Sequence, residues 1–279
     1  MLGFIFIVFS AFTHSLWNIL LKRSENKYAF NFYMHFANIL FFTVVYVTFF
    51  KHYLYISYPV IISAFMAAAF FSVYHLLVSS AYKYSDVSLV YPLTTSSPLF
   101  ILIWAVLFLK EHLTLMGTAG IILTVMGTVV LNHVRGKGLN FGKGAVFALV
   151  GAFFYSFGAL VDKKGVSQGN FILYVYSMSF FMTCFIFVYS KRRGDLTLDY
   201  IKKDKWWVVL AGVVVFASFI SYRYGLTMVN LSYASAIRQV STLFGAVMGI
   251  MFFKEKFTVN RALGTVLIML GIVMIKIGM

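Results

Sequence analysis

Long apolar runs alternate with short polar segments along the whole chain, and this alternation predicts membrane-spanning helices. A helix of about 20 apolar residues crosses a hydrocarbon core of about 30 Å. Runs of that length recur from end to end, and the segments between them are too short to form a soluble domain. The pattern predicts an all-α polytopic membrane protein with ten transmembrane helices, at residues 2–21, 29–50, 58–81, 87–109, 115–133, 142–162, 170–190, 206–226, 230–252 and 258–277.

The composition fits this class of protein. Hydrophobic residues make up 61% of the 279 positions and charged residues 11%, whereas about a quarter of the residues of a soluble protein are charged. The formal net charge is +15, but most basic residues fall in short loops, where they fix topology and contact lipid headgroups. We therefore expect the lipid bilayer as a partner and no nucleic acid. The single cysteine, Cys184, excludes an intramolecular disulfide.

The chain contains an internal repeat. The segment LFLKEHLTLMGTAGIILTVMGTVVL (107–131) aligns with MFFKEKFTVNRALGTVLIMLGIVMI (251–275) at an offset of 144 residues, and GFIFIVFSAF (3–12) aligns more weakly with GAVFALVGAF (144–153). The repeat predicts two five-helix units, residues 1–138 and 139–279. Because five is an odd number of crossings, the second unit should be inverted relative to the first. Inverted repeats are typical of transporters, in which the substrate binds near mid-membrane between the halves.

The repeated motif resembles that of a known family. Each copy has an apolar helix, a KE-x-x-T turn (from Lys110 and from Lys254) and a G-x6-G helix (from Gly120 and from Gly264). The whole chain is similar in this respect to the EamA-type transporters of the drug/metabolite transporter superfamily. The segment AYKYSDVSLVYPLTTSSPLF (81–100) also resembles the one that precedes the turn in that family. The resemblance implies a transporter of small metabolites, such as amino acids or drugs, and it does not name the substrate.

The repeat aligns two polar segments that lie within predicted spans. Arg238 and Gln239 stand about 10 Å into the ninth span at 1.5 Å per residue, and they align with Thr94 and Thr95 of the fourth span. A shared central site requires polar groups at the same depth in both halves. A bound carboxylate or phosphate would suit the fork of donors of the arginine. Asp162 could be its partner only if the fold brings the end of the sixth span close.

Further polar and aromatic side chains recur at helical spacing along other spans. In hydrocarbon such groups bind one another or face a wet cavity, so each stripe either joins helices or belongs to a binding site. Pro98 either exposes the carbonyl of Thr94 to water or substrate, or it forms a structural kink. The residues predicted to bind substrate are His14, Trp17, Asn18, Tyr74, His75, Ser79, Tyr91, Thr94, Thr95, Tyr222, Arg238, Gln239 and Ser241.

The sequence leaves the coupling to an ion gradient open. No glutamate lies in the middle of a span, so the proton-carrying glutamate of small drug exporters has no counterpart. His14 and His75 are the only mid-span groups expected to titrate near neutral pH, and proton coupling, exchange and facilitated diffusion all remain alternatives. The Lys–Glu pairs at 110–111 and 254–255 are expected to cap and fix their turns.

The predicted function is that of a secondary transporter for a small polar solute, acting as an exporter or exchanger in the plasma membrane, with a prokaryotic inner membrane as the expected location. One alternative is a flippase for an amphiphilic or lipid-linked solute on the same fold. Another is an integral-membrane enzyme, for which the sequence offers no H-x4-D, D-D-x-x-D or H-E-x-x-H motif. We expect no cofactor, no metal and no enzymatic activity, and either a monomer or a homodimer.

The orientation in the membrane has two conflicting indications. Loops after odd-numbered spans carry 16 Lys and Arg residues, against five in the termini and the other loops. The positive-inside rule then places both termini outside the cell, whereas the family resemblance implies cytoplasmic termini.

Overall fold

The computed structural model of the chain describes residues 1–53, 56–84, 90, 93–132, 142–194, 196, 198–254 and 258–279. No strand occurs in this part of the chain. Its α-helices are α1 (Leu2–Arg23), α2 (Lys27–Phe49), α3 (Tyr58–Tyr84), α4 (Ser97–Leu109), α5 (Leu115–Asn132), α6 (Lys143–Val166), α7 (Phe171–Arg192), α8 (Leu198–Met228), α9 (Leu231–Ile237), α10 (Val240–Phe253) and α11 (Val259–Gly278).

The helices correspond to the predicted spans. Nine helical stretches of the described residues are long and apolar enough to cross a membrane. The helix α4 is apolar but shorter, and it corresponds to the one remaining predicted span, the fourth. The all-α polytopic class is therefore confirmed. Three spans differ in detail. The fourth is interrupted at Thr95 and Ser96, so that α4 begins only at Ser97, and the ninth is divided into α9 and α10. The helix α8 begins earlier than predicted, with a kink at Asp204 (φ −113°, ψ 15°).

Equivalent residues of the two copies begin and end helices. The side chain of Asn26 accepts the N–H groups of the first turn of α2, and Asn170, 144 residues later, does the same for α7. Such N-caps satisfy backbone donors that have no partner within the helix. Lys110 and Lys254, also 144 residues apart, both end their helices in the left-handed conformation with φ of 54°. The sequence repeat is thus also a repeat of the backbone.

The chain forms two compact units that do not coincide with the sequence repeats. Unit 1 comprises Met1–Ser72 and Val161–Thr227, and unit 2 comprises Val73–Leu160 and Met228–Met279. Each unit therefore takes helices from both copies, while α3 and α6 each contribute to both units. The predicted repeat boundary at 138/139 lies outside the described residues, and the division into 1–138 and 139–279 stays a prediction.

In unit 1, the equivalent helices α2 and α7 cross in antiparallel directions. Near one end of the crossing the hydroxyl of Thr183 donates to the carbonyl of His35 at 3.3 Å, and near the other end the Thr43 hydroxyl lies 3.1 Å from that of Tyr176. The ring of Tyr176 also stacks on that of Tyr46, with centroids 4.9 Å apart. Residue numbers rise along α2 as they fall along α7, which is the arrangement that an inverted repeat requires.

In unit 2, the equivalent helices α5 and α11 also cross antiparallel, but through glycines. A Cβ atom added at Gly120 would lie 2.6 Å from the carbonyl oxygen of Gly271, and one added at Gly264 would lie 2.6 Å from that of Gly127. Only hydrogen fits at these distances, so the G-x6-G motif of each copy lets the two backbones touch. Small residues serve this purpose in membranes because close approach maximises dispersion contacts between helices.

Candidate functional site

Unit 2 contains two spans that are broken at equivalent positions. The fourth span turns at Thr95 and Ser96, where the N–H of Ser96 donates to the carbonyl of Leu93 three residues earlier, at 3.3 Å. The ninth span turns at Arg238 and Gln239, where the N–H of Gln239 donates to the carbonyl of Ala236 at 3.0 Å. Hydrogen bonds to the carbonyl three residues earlier, as in a 3-10 helix, mark local departures from the α-helix, in which the carbonyl four residues earlier accepts.

One hydrogen bond joins the two breaks. The side-chain amide of Gln239 donates to the carbonyl oxygen of Thr95 at 3.2 Å. Thr94 is buried, whereas Arg238 and Gln239 are half-buried, and every residue of α9 before them is buried. The segments that the repeat aligns are therefore in contact. Their role in substrate binding stays a prediction.

The proline that was expected to distort the fourth span lies at the start of a helix. Pro98 occupies the first turn of α4, a position where the missing N–H of proline leaves no hydrogen bond unmade. The break at Arg238 and Gln239 has no proline at all. Proline content therefore identifies only one of the two breaks.

The Glu111 carboxylate fixes the start of α9. It accepts the backbone N–H of Leu231 at 2.5 Å, the N–H of Ser232 at 3.2 Å and the Ser232 hydroxyl at 2.8 Å. A negative charge at a helix N-terminus is favourable because the first N–H groups have no partner within the helix. The Glu of the first KE pair thus caps a helix of the second copy, where it was expected to fix its own turn. This contact holds the helix that leads to Arg238. Glu255 of the second pair lies outside the described residues.

Two further predicted residues of unit 2 lie side by side on α3. The Tyr74 ring contacts that of His75 at 5.2 Å and that of Tyr155, on α6, at 5.1 Å, and all three residues are half-buried. Ser241 is half-buried in the first turn of α10. Tyr91 lies outside the described residues, and for Ser79 the backbone alone is described, within α3.

The remaining predicted residues lie in unit 1. On α1 the rings of His14 and Trp17 meet edge to face at 5.0 Å, and the Asn18 amide donates to the carbonyl of His14 at 2.7 Å. Asn18 is exposed and Trp17 is buried. Tyr222, on α8, is also buried. The residues of α1 that were predicted to bind substrate are therefore only partly buried within the protein.

Unit 1 also contains a buried ion pair that the sequence did not predict. Arg223 on α8 binds the Asp162 carboxylate at the end of α6, with Nε 3.0 Å from Oδ1, and both side chains are at most 5% exposed. The Tyr174 hydroxyl donates to the same oxygen at 2.8 Å. The partner of Asp162 is therefore Arg223 and not Arg238, for which the sequence had left a contact with Asp162 open. The only sequence signal for this pair is that two residues of opposite charge stand near the ends of predicted spans. Hydrophobic periodicity does not show which of the spans pack together.

Comparisons with known proteins agree with this architecture. The sequence profile of the EamA-like transporter family matches residues 1–133 and 142–277. Twenty-nine chains of solved structures match the fold. One of them, described only as a crystal structure of a protein, superposes with a TM-score of 0.79 at 15% sequence identity, over 98% of this chain and 94% of that one. No protein with curated annotation matches the sequence significantly.

Proposed function

Because the chain belongs to the EamA-like transporter family and is therefore a membrane transporter, we propose that it moves a small polar solute that carries a carboxylate or phosphate, such as an amino acid. It works as an exporter or exchanger by alternating access, in which the two inverted copies exchange conformations. Its location is the plasma membrane, which in a prokaryote is the inner membrane. Its partners are the solute and the surrounding lipid.

The observation that carries this proposal is the contact between the two helix breaks in unit 2. The Gln239 amide binds the Thr95 carbonyl, and Arg238 stands next to it on the same turn. Broken helices are where transporters hold polar solutes, because backbone groups at a break are not all used within the helix. A guanidinium has five N–H donors in a planar fork that matches a carboxylate or phosphate.

The first experiment identifies the solute. Purified protein is heated in the presence of single metabolites, and a bound solute raises the apparent unfolding temperature by mass action. The panel contains amino acids, other carboxylates, phosphate esters and uncharged sugars, with amphiphiles as a separate arm. Stabilisation by anionic or zwitterionic polar solutes supports the proposal, whereas stabilisation by amphiphiles alone would favour a flippase.

The second experiment tests Arg238 with the solute so identified. We expect Arg238→Gln to abolish counterflow into proteoliposomes, because the amide lacks the charge and the fork that bind the anion. Arg238→Lys keeps the charge without the fork and should retain only part of the activity. Gel filtration of both variants verifies folding. Full counterflow by a folded Arg238→Gln protein would remove this residue from the site.

A further inference from the structure

A small pocket in unit 1 lies between the end of α1, the start of α2 and the start of α8. Its volume is about 150 Å³, and every residue that lines it belongs to unit 1. Its charged, polar and indole side chains are those of Arg23, Ser24, Glu25, Asp204 and Trp207. None of these residues was predicted to bind substrate, and none belongs to the helix breaks of unit 2.

The pocket lies at the level of the lipid headgroups. The stretches of α1 and α8 that are long and apolar enough to cross a membrane are Leu2–Leu21 and Asp204–Met228. Arg23 therefore follows the end of the first stretch, and Asp204 begins the second. A ligand of this pocket has its polar part at the membrane interface.

The pocket contains opposite charges that are not paired with each other. The Arg23 guanidinium carbon, Cζ, lies 3.9 Å from the centre of the Trp207 ring, a cation–π contact that uses the face of the indole. In the part of the chain that the structure describes, neither Arg23 nor Asp204 forms an ion pair, although both line the same pocket. Glu25 adds a second carboxylate to the lining.

Ser24 gives an independent indication of a ligand. Its side chain lines the pocket although the residue is only 7% exposed. Its hydroxyl oxygen is buried without a hydrogen-bond partner among the described residues. A buried hydroxyl in this state is unfavourable because it has lost its water without gaining another partner. A ligand that donates a hydrogen bond to this oxygen would satisfy it.

The charges of the lining select the charge of the ligand. A purely anionic ligand would be repelled by the carboxylates of Glu25 and Asp204, and a purely cationic one would be repelled by Arg23. A zwitterion matches both signs, with its anionic group on Arg23 and its cationic group on Asp204. The rest of the lining, Leu20 and Phe30, is buried and apolar, which suits a short hydrocarbon link between the two charges.

We propose that this pocket binds the headgroup of phosphatidylethanolamine. The phosphate accepts the N–H groups of Arg23, as guanidinium and phosphate are complementary in charge and shape. The primary ammonium donates to the Asp204 carboxylate and to the Ser24 hydroxyl, and its ethylene link covers the apolar part of the lining. The acyl chains remain in the bilayer, where the pocket lies at the interface.

The lining also distinguishes ethanolamine from choline. A quaternary ammonium has no N–H donor and is bound by the faces of aromatic rings, but the face of Trp207 is occupied by Arg23. A primary ammonium has three N–H donors, which the Asp204 carboxylate and the Ser24 hydroxyl require. Phosphatidylglycerol has the phosphate but no ammonium. We therefore expect phosphatidylethanolamine to bind more tightly than either of these lipids.

The experiment measures how lipids stabilise the full-length protein. Delipidated protein in detergent is unfolded by heat at increasing mole fractions of lipids with identical acyl chains. The lipids are phosphatidylethanolamine, its N-methyl and N,N-dimethyl derivatives, phosphatidylcholine and phosphatidylglycerol. A lipid that binds the folded state raises the apparent unfolding temperature. We expect the largest rise with phosphatidylethanolamine and a decrease along the methylation series, because each methyl group removes one donor.

Two variants test the residues of the pocket. Asp204→Asn keeps the size but removes the charge, so the mole fraction of phosphatidylethanolamine that gives half of the maximal shift should rise by about tenfold or more. Its preference over phosphatidylcholine should disappear. Arg23→Gln removes the phosphate partner and should also weaken the response. Arg192→Gln is the matched control, since Arg192 is exposed at the end of α7 and does not line the pocket.

Gel filtration verifies that the variants are folded, and the methylation series with the wild-type protein needs no variant. Equal stabilisation by phosphatidylethanolamine and phosphatidylcholine would overturn the proposal, as would a full response of folded Asp204→Asn. Soluble glycerophosphoethanolamine and alanine form a separate arm. If they stabilise the wild-type protein as strongly as the lipid and Asp204→Asn abolishes this, the ligand is a free zwitterion and the lipid assignment is wrong. These outcomes leave the proposed transport function standing, because the pocket shares no residue with the helix breaks.

Discussion

In unit 1, α2 and α7 meet through tyrosine rings and threonine hydroxyls, whereas in unit 2 the crossing of α5 and α11 is made by glycines. Both crossings join equivalent helices of the two copies in antiparallel directions. In unit 1 the side chains fill the space between the helices, with the Tyr46 and Tyr176 rings 4.9 Å apart. In unit 2 the backbones touch at Gly120 and Gly271.

Because their helices are held together differently, the two units should be destabilised by different substitutions. Unit 1 depends on the chemistry of its side chains, because its contacts are hydrogen bonds, ring stacks and an ion pair. Unit 2 depends on the absence of side chains, because dispersion between close backbones falls steeply with distance. Truncation or neutralisation should damage unit 1, and added volume should damage unit 2.

The largest expected effect is the loss of one partner of the ion pair. Arg223→Leu leaves Asp162 buried without a compensating charge, and we expect a loss of about 3–5 kcal/mol of unfolding free energy. Thermal unfolding in detergent measures the change. The variant with both Asp162→Leu and Arg223→Ser removes both charges and should recover most of the loss. If the single and double variants are equally unstable, the uncompensated charge is not the cause.

An intermediate effect is expected from added volume in unit 2. Gly120→Ala places a methyl group 2.6 Å from the carbonyl oxygen of Gly271, and since backbone cannot rotate away, we expect a loss of about 1–3 kcal/mol. Gly142→Ala is the control, because nothing lies within 4 Å of the added Cβ atom there. Wild-type stability of Gly120→Ala in the same thermal assay would show that α5 and α11 can move apart without loss.

The smallest effect is expected from one hydroxyl in unit 1. Thr43→Val keeps the shape but removes the contact of 3.1 Å with the Tyr176 hydroxyl, so we expect a loss of about 1 kcal/mol. Thr227→Val is the matched control, since among the described residues the Thr227 hydroxyl bonds only the carbonyl of Tyr224, in its own helix. Equal effects of the two substitutions would mean that the contact between the helices adds nothing.

The sequence predicted the helices and their repetition well, because each helix and each repeated turn is determined by the residues of its own segment. The length of the apolar runs gives the spans, and the offset of 144 residues predicts that Lys110 and Lys254 share a conformation. The division of the ninth span was missed, because Arg238 and Gln239 are compatible with a continuous helix and no proline signals the turn.

The contact between the two helix breaks was predictable, because the repeat relates segments that are far apart in the sequence. Aligning Thr95 with Gln239 anticipated the two segments that the structure joins. Contacts between residues that are not equivalent could not be derived in this way. The Glu111 carboxylate on α9 and Arg223 on Asp162 depend on which helices pack together, and hydrophobic periodicity says only which face of a helix is buried.

A hydrogen bond between a residue and its own equivalent has a further consequence. It can form only beside the pseudo-twofold axis that relates the copies, so Thr95 and Gln239 mark where this axis passes. A solute bound there would meet the same backbone position of each copy, whichever side of the membrane it came from. Binding at the axis does not favour a direction of transport. The net direction must then come from the gradient of the solute or of a coupled ion, because side chains that break the twofold relation change only how the states of the protein are populated.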